Sequence, residues 1–375
     1  MAAWRVEAAA PARPARVLLI APSMEILGGQ AVQAMRLLRE LNRTPGLIVE
    51  FQPINPRLPG WIRRVPYLRT LLTFILYRSQ ILWRIPRYDL IHTFSAGLSS
   101  FALWTVPAVR VSRLFGKPVI LNYRDGQADE HLRSWRHAGP TLRRATAVVT
   151  PSEYVVDVFE AHGISSRRIP NLIDLDRFRY RQRRHLRPVV MTNRILEPLY
   201  NVGCVLRAFA IVQTRYPDAS LTVAHDGVCR PALEALARDL GLRNTRFIGR
   251  VPHADVPALY DAADIYLTSP NVDCMPGSLL ECFASGLPVV ATRAGGIPHI
   301  VTHDVTGQLV DVNDHEAMAA AAIRLLEDPD FVQRTTRRAF EALEQYRAPA
   351  IRRQWLAIYE EQLAAHGTPP RQAEL

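Results

Sequence analysis

A chain of 375 residues exceeds what one hydrophobic core usually supports, so two domains are predicted, and 48% hydrophobic residues suffice for both cores. The charge is uneven: residues 1–188 carry 29 Lys and Arg against 13 Asp and Glu, and the remainder carries 17 against 22. The basic half predicts an anionic partner, and no helix-turn-helix, zinc or RNP-type motif points to nucleic acid.

The cysteines and the first residues indicate a cytoplasmic protein. The four cysteines form no CxxC pair and no metal-ligand spacing, as expected for thiols in a reducing compartment. Residues 1–14 are rich in Ala, Arg and Pro and lack the apolar core of a signal peptide, so we expect a disordered lead-in. The apolar stretch 65–85 is interrupted by arginines and does not suit a membrane span.

Strand and helix patterns alternate through the first half, which is typical of a doubly wound parallel sheet. Strands are predicted over residues 16–22, 47–53, 89–94, 118–123 and 147–151, and helices over 31–41, 58–87, 98–115 and 153–162.

Two loops of this half could contact a ligand. Gly28 and Gly29 start the helix 31–41, where free amides can face a phosphate or an acceptor. Arg124, Asp125 and His131 follow the strand 118–123 at an end where ligands collect. Arg124 fits either a ligand contact or a surface ion pair with Asp125 or Asp129.

The segment 58–87 interleaves aromatic and aliphatic residues with arginines. Such a helix can lie in a membrane interface, where an anionic surface attracts the arginines. The same pattern also fits a core helix with an arginine-rich solvent side.

The second half restarts the alternation after a charged link, and we place the domain boundary near Arg187. Strands are predicted over 188–192, 219–224 and 245–251, and helices from about Asn201 and over 254–262, 314–327, 330–346 and 351–365. Arg194 lies between the strand 188–192 and the next helix, where a guanidinium can bind a diphosphate through two hydrogen bonds.

The most informative stretch is 264–300. A strand at 264–268 leads to a loop with Asp273, and Pro276-Gly277-Ser278 starts a helix that carries Glu281. A helix start binds anions through its free amides, and a carboxylate beside a phosphate is better suited to accept hydrogen bonds from sugar hydroxyls. On spacing alone, Asp273 and Glu281 could equally be a solvated loop residue and a surface charge.

The segment from Asp273 through LLECFASGLPVVATRAGGIP resembles the carboxylate-x7-carboxylate segment of retaining GT-B glycosyltransferases, most closely family 4, and the resemblance extends weakly over nearly the whole chain. It implies an α/β fold of two doubly wound parallel-sheet, Rossmann-like domains facing a cleft. Residues 15–187 then form the acceptor-side domain and 188–346 the nucleotide-sugar domain, and 347–375 cross back to the first domain. The implied reaction moves a hexosyl group from a UDP- or GDP-linked sugar to a glycan, lipid-linked or small-molecule acceptor, without cofactor or metal.

The resemblance also implies roles for single residues. Asp273 faces the donor hexose, Glu281 binds the ribose, and Arg194 binds the diphosphate. Arg124 takes the place of a histidine near the donor sugar. Further donor contacts fall on Tyr200, Asp226, Val251, Met275, Pro276, Gly277 and Ser278.

Four departures from the family pattern support an alternative. The family usually has Glu at Asp273 and Lys at Tyr200, and it often has His at Arg124 and Glu at His299. These differences together favour, as the alternative, a catalytically silent module that binds nucleotide sugars or glycans. Nucleotide-sugar epimerisation is a third hypothesis, ranked below both because the carboxylate spacing is specific to the transferases.

Overall fold

The computed structural model of the protein describes residues 13–25, 29–56, 58–59 and 66–367. Their contacts divide the chain into two compact units. The first unit contains the residues up to Thr150, Val158–Ile169 and those from Ile351 onward, and the second contains Pro151–Asp157 and Pro170–Ala350. The predicted α/β class is confirmed in each unit.

The described residues of the first unit form a parallel sheet with the strand order β2-β1-β3-β4-β5-β6. Its apolar strands are covered on both faces, as the run Val17–Ala21 illustrates with fully buried side chains. The strands are β1 (Ala15–Ala21), β2 (Leu47–Pro53), β3 (Leu90–Ser95), β4 (Val119–Tyr123), β5 (Ala147–Thr150) and β6 (Arg167–Arg168).

Helices connect these strands, as the alternating sequence pattern predicts. The predicted helix 98–115 begins with short helical turns over 98–105 before its regular part. The helices are α1 (Gly29–Leu41), α2 (Pro66–Arg84), α3 (Val106–Leu114), α4 (Ala128–Ser134), α5 (Ala138–Leu142) and α6 (Glu153–Ala161).

The second unit repeats the design with a parallel sheet of strand order β12-β11-β10-β7-β8-β9 in the described residues. Alternate residues of β10 belong to two different apolar clusters. Ile265 and Leu267 pack in one cluster, and Tyr266 packs in the other. Because side chains alternate across a strand, the two clusters lie on opposite faces of this sheet. The strands are β7 (Val189–Thr192), β8 (Ser220–Ala224), β9 (Thr245–Gly249), β10 (Ile265–Thr268), β11 (Val289–Thr292) and β12 (Gln308–Val310).

The helices of this unit are α7 (Val202–Arg215), α8 (Arg230–Asp239), α9 (Val256–Ala262), α10 (Gly277–Ala284), α11 (His315–Glu327) and α12 (Pro329–Glu341). The helix α13 (Ala348–Ala365) follows, and most of it belongs to the first unit. Neither α8 nor the short strand β12 was predicted from the sequence. None of the described helices has the length and apolar character of a membrane span.

The segment 170–187, which the sequence analysis assigned to the first domain, lies in the second unit by its contacts. Arg183 is almost fully buried and donates to the carbonyls of Tyr260, Ala263 and Ser285, at or near the ends of α9 and α10. Such carbonyls lack helical partners, so an arginine can satisfy them. Burial lowers the pKa of Arg183 to about 10. The segment 170–187 is therefore held to the second unit by hydrogen bonds from an arginine. The pattern of hydrophobic residues in the sequence does not predict such contacts.

Candidate functional site

The candidate site forms where β7 and β10 end. The two strands pair in parallel, with Ile265 opposite Val190 and Tyr266 opposite Met191. Residues that follow them therefore leave the sheet at the same edge, where parallel sheets bind ligands. Arg194 follows β7 and Asp273 follows β10, and the structure brings these two predicted site residues together.

Arg194 and Asp273 form an ion pair through Nη2 and Oδ2, and each side chain is only 12% exposed. The guanidinium also lies 3.4 Å from Ser278 Oγ and 4.4 Å from the ring centre of Tyr200. Its buried Nε has no hydrogen-bond partner among the described residues. Tyr200 thus supports the guanidinium and does not supply the second cation that a lysine would provide.

Burial raises the pKa of Asp273, whereas Arg194 and the backbone amides of Cys274 and Met275 act against this shift. A buried carboxylate without such partners takes up a proton readily. The negative charge of Asp273 therefore depends on Arg194, and the pair acts as one unit.

Ser278 and Asn193 extend the cluster through a buried tyrosine. The Tyr266 hydroxyl lies 3.0 Å from Ser278 Oγ and 2.8 Å from Asn193 Oδ1. Ser278 is the second residue of α10, so its position at the helix start is fixed from the side of the sheet.

Glu281 is joined to the same cluster by a second buried tyrosine. Asn193 Nδ2 donates to the Tyr260 hydroxyl at 2.8 Å, and this hydroxyl donates to Glu281 Oε2 at 2.9 Å. Burial raises the pKa of Tyr260 well above its usual value, so the phenol remains a donor. A continuous set of polar contacts therefore joins Arg194 to both predicted carboxylates. Asn193, Tyr260 and Tyr266, which complete this set, were not predicted from the sequence.

The Gly-Gly turn after β11 fixes the loop that carries Asp273. The Gly296 amide donates to the Asp273 carbonyl at 2.8 Å. A Cβ on Gly296 would lie 2.0 Å from the carbonyl oxygen of Cys274 and 2.3 Å from Ser152 Oγ, so no larger residue fits. The sequence shows two glycines, but only the structure shows what approaches them.

The segment after β6 supports Met275 and the helix start. Asn171 Nδ2 donates to the Met275 carbonyl at 3.1 Å, and a Cβ at Gly277 would lie 3.3 Å from Ile173 Cδ1. Pro276 is buried and precedes α10 in an extended conformation. Met275, Pro276 and Gly277 are therefore held in place at the start of α10.

Asp226 and Val251 lie on neighbouring strand exits. The amide of Leu196 donates to the Asp226 carbonyl at 3.1 Å, so the loop after β8 adjoins the loop that carries Arg194. Val251 is half-buried two residues after β9. His225 makes local contacts between its Nδ1 and the backbone of Asp226. His299, which stands in place of a family Glu, is exposed.

The remaining predicted site residues fall in the first unit. Arg124 lies 5.0 Å from the ring centre of Phe94 and donates to Asn122 Oδ1 at 3.4 Å. Asp125 accepts from the amides of Gly97 and Gln127, and His131 is buried. Gly29 is the first residue of α1, and Gly28 lies outside the described residues.

No described group of three or more His, Cys, Asp and Glu is arranged to hold a metal ion. Cys274 and Cys282 are buried, and burial raises the pKa of the Cys282 thiol, as expected of packing residues. The arrangement as a whole offers one guanidinium and the free amides of a helix start to an anion, and two carboxylates to hydroxyl groups.

Comparison with known families gives two matches that together span most of the chain. Residues 177–342 match the profile of "Glycosyl transferases group 1", and residues 27–177 match that of "Glycosyltransferase Family 4".

Three curated relatives illustrate the range of named activities. The chain is 32% identical over 217 residues to a GDP-mannose-dependent alpha-(1-6)-phosphatidylinositol monomannoside mannosyltransferase of Mycolicibacterium smegmatis, covering 51% of the chain and 57% of the relative. It is 33% identical over 157 residues to the N-acetyl-alpha-D-glucosaminyl L-malate synthase of Bacillus anthracis, covering 41% of the chain and 40% of the relative. It is 28% identical over 324 residues to a D-inositol 3-phosphate glycosyltransferase of Thermobispora bispora, covering 76% and 73%. The chain thus spans only about half the length of the first two.

Solved structures share the fold at low sequence identity. Anabaena HepE, in complex with UDP and glucose, superposes with a TM-score of 0.74 at 18% identity, covering 92% of this chain and all of that one. Sucrose-phosphate synthase of Thermosynechococcus elongatus gives 0.72 at 18% identity, covering 94% and 100%.

Proposed function

The chain belongs to glycosyltransferase family 4, and we propose that it transfers a hexosyl group from a UDP- or GDP-linked sugar with retention of anomeric configuration. Its two parallel six-stranded sheets with flanking helices are those of a GT-B glycosyltransferase. The names of the relatives support the choice of donor, since one uses GDP-mannose and a structural neighbour holds UDP and glucose.

The observation that carries the proposal is the set of polar contacts around the start of α10. One buried arginine and two carboxylates that are eight residues apart in sequence are linked there through Ser278, Asn193 and two tyrosine hydroxyls. A nucleotide sugar needs this combination, because its diphosphate is anionic while its hexose and ribose present hydroxyls.

Arg194 and the amides of Gly277 and Ser278 stabilise the leaving diphosphate in this proposal. Negative charge grows on the diphosphate oxygen as its bond to the anomeric carbon breaks, and a preorganised cation lowers the energy of that state. The acceptor oxygen forms the new bond to the anomeric carbon, and its proton passes to the leaving diphosphate. No separate general base is then required.

The two carboxylates bind hydroxyls. Asp273 is repelled by a phosphate and accepts hydrogen bonds from the hexose, while its bond to Arg194 keeps it charged. Glu281, held by Tyr260, accepts hydrogen bonds from the ribose. We further propose that Arg194 and the helix start replace a metal ion, so a chelator such as EDTA should leave the activity unchanged.

The acceptor is proposed to be an anionic glycan, lipid-linked or small molecule. The excess of basic residues in the first half supports this choice, and so do the names of the relatives, which include a phosphatidylinositol mannoside, malate and inositol 3-phosphate.

We also propose that the protein attaches peripherally to an anionic membrane through α2. Tyr67, Leu71, Ile75 and Leu82 lie on one exposed stripe of this helix, and Tyr67 is 91% exposed. Residues 66–88 contain four arginines and no acidic residue. Apolar and cationic side chains on one exposed helix are typical of interfacial binding.

Isothermal titration with UDP and with GDP tests donor binding. The wild type should bind at least one nucleotide at millimolar concentration or below, and Arg194→Ala and Glu281→Ala should weaken that binding. A wild type that binds neither nucleotide contradicts the assignment of the site. Release of free sugar from UDP- and GDP-sugars then tests catalysis, because a silent binding module releases none above the buffer level.

A further inference from the structure

A second polar cavity lies in the first unit, beside the C-terminal end of α2. It has a volume of about 590 Å³, and its lining includes Arg16, Glu50, Gln80, Trp83, Arg84 and Arg87. None of these residues belongs to the proposed donor site.

The charges around this cavity do not cancel. Glu50 is the one carboxylate among the described residues of the lining, and it accepts from Arg16 at 2.9 Å and from Arg84 at 3.0 Å. Hydrogen bonds from Tyr88 and Arg16 lower the pKa of Glu50, so its charge is fully present at neutral pH. Within the described part of the lining, three arginines and one carboxylate leave an excess of two positive charges. The neighbouring Asp89 is paired with Arg13 at 2.6 Å.

The cavity is preorganised. Arg84 is fixed by the carbonyl of Phe51 at 3.0 Å and by Gln52 Oε1 at 2.9 Å, and Gln52 is fully buried. Arg87 stacks on the ring of Trp83, with 3.8 Å between its Cζ and the ring centre. Guanidinium groups held in this way bind phosphate oxygens at a low cost in conformational entropy.

The cavity opens beside an exposed tryptophan of α2. Trp83 and Arg87 line it, and Trp83 is 64% exposed one residue after Leu82 of the apolar stripe. Tryptophan is favoured at the level of lipid headgroups, where one side is apolar and the other is wet. At about 100° per residue, Trp83 lies about a third of a turn from the apolar stripe, so a phosphate in the cavity would lie beside an exposed tryptophan at the edge of the proposed membrane-facing surface.

We propose that this cavity binds the headgroup phosphate of an anionic phospholipid. The proposal rests on the proposed membrane attachment of α2 and adds a specific phosphate site to it. Arg16 and Arg87 donate to the phosphate oxygens, and Trp83 packs against the glycerol region.

Flotation with vesicles tests the proposal on the full-length protein. The wild type should bind phosphatidylcholine vesicles that contain phosphatidylglycerol and should not bind pure phosphatidylcholine vesicles. In Arg16→Gln/Arg87→Gln, loss of charge-assisted hydrogen bonds should weaken binding by about tenfold or more per arginine.

The matched control is Arg69→Gln/Arg78→Gln, which removes two exposed arginines of α2 outside the cavity lining. Diffuse attraction to an anionic surface accounts for only about fivefold per arginine. Equal losses in the two double variants would overturn the cavity while leaving membrane attachment intact. Circular dichroism checks that both variants fold, and Arg87→Gln alone, at an exposed position, gives a second measurement of the same loss.

Two further arms separate the alternatives. Titration of inorganic phosphate without vesicles should show no binding at micromolar concentration, and tight binding would assign the cavity to a free anion instead of a lipid. If the wild type does not bind anionic vesicles, both the lipid site in the cavity and the membrane attachment are wrong. Nucleotide titration on the same preparation reports on the transferase site independently of either result.

Discussion

The two sheets have the same parallel architecture, but their central strands use polar residues differently. In the second unit, Tyr266 of β10 contacts Asn193 after β7 at 2.8 Å, and these contacts lead on to Ser278 and Glu281. In the first unit, His92 of β3 contacts Asn122 of β4 at 3.2 Å. His92 Nδ1 also lies 2.7 Å from the hydroxyl of Tyr359 on α13, and its ring is 4.5 Å from that of Trp355.

Buried polar contacts between neighbouring central strands therefore have different roles in the two units. In the second unit, polar contacts between two central parallel strands lead to the start of α10 in the proposed donor site, and in the first unit they fasten the C-terminal helix to the sheet. Function therefore follows from what these polar residues contact, and not from the fold that provides them. Changes to the polar residues of the second unit should affect ligand binding. Changes to those of the first unit should affect the free energy of unfolding.

The largest effect is expected from Arg194→Gln in the second unit. Removing the cation leaves the buried Asp273 uncompensated and withdraws charge stabilisation from the diphosphate, so kcat should fall about 100- to 1000-fold. Release of UDP or GDP during transfer measures this loss. Arg215→Gln is the control, since Arg215 is exposed and pairs with Glu327 at 3.5 Å. A similar loss in the control would show that general charge, and not the site, is responsible.

Gly296→Ala should have the next largest effect, on stability as well as activity. The new Cβ would lie 2.0 Å from the Cys274 carbonyl, so the loop that carries Asp273 must move. Strain of this kind costs roughly 1–3 kcal/mol, which a lowered urea midpoint would report. In Gly203→Ala the new Cβ meets Leu236 at an ordinary 3.5 Å, and this helical site should tolerate the change. Equal midpoints for the two variants would contradict the close approach.

The sequence predicted the alternation of strands and helices because the strands are short apolar runs between turn residues. The resemblance to the glycosyltransferases assigned Arg194 and Asp273 to the same nucleotide sugar, and the structure places these two side chains in contact. Asn193, Tyr260 and Tyr266 were not predicted. A tyrosine in an apolar stretch is predicted to be a core residue. Only the three-dimensional packing shows that its hydroxyl contacts a carboxylate.

The packing of the segment 170–187 in the second unit was not predicted for a related reason. Its arginines resemble a solvated linker, whereas Arg183 is buried against carbonyls near helix ends. Patterns of hydrophobicity describe apolar burial and do not describe polar groups that satisfy one another. The same limit applies to His92, whose burial the sequence does not reveal.

In the first unit, the stability should depend on pH through His92. Burial lowers the pKa of His92 to about 3, whereas an unfolded chain takes up this proton near pH 6.5. Below pH 6.5 the unfolded state therefore binds more protons, and the free energy of unfolding falls by up to about 1.4 kcal/mol per pH unit. His92→Gln should show a shallower fall between pH 6.5 and 4.5 in urea denaturation. Parallel curves for the two proteins would indicate that His92 is not responsible.

The smallest effect tests the second unit again, with Tyr260→Phe. This change removes the hydroxyl that donates to Glu281 at 2.9 Å and leaves the ring in place. Loss of a hydrogen bond to a charged group costs about 1.5 kcal/mol, so nucleotide should bind about tenfold more weakly. Tyr216→Phe is a close control, because its hydroxyl donates at 3.3 Å to Glu327, an exposed carboxylate of the same unit. If Tyr260→Phe binds nucleotide as tightly as Tyr216→Phe does, Glu281 does not need its tyrosine, and the polar contacts around α10 are structural in the same sense as those of His92.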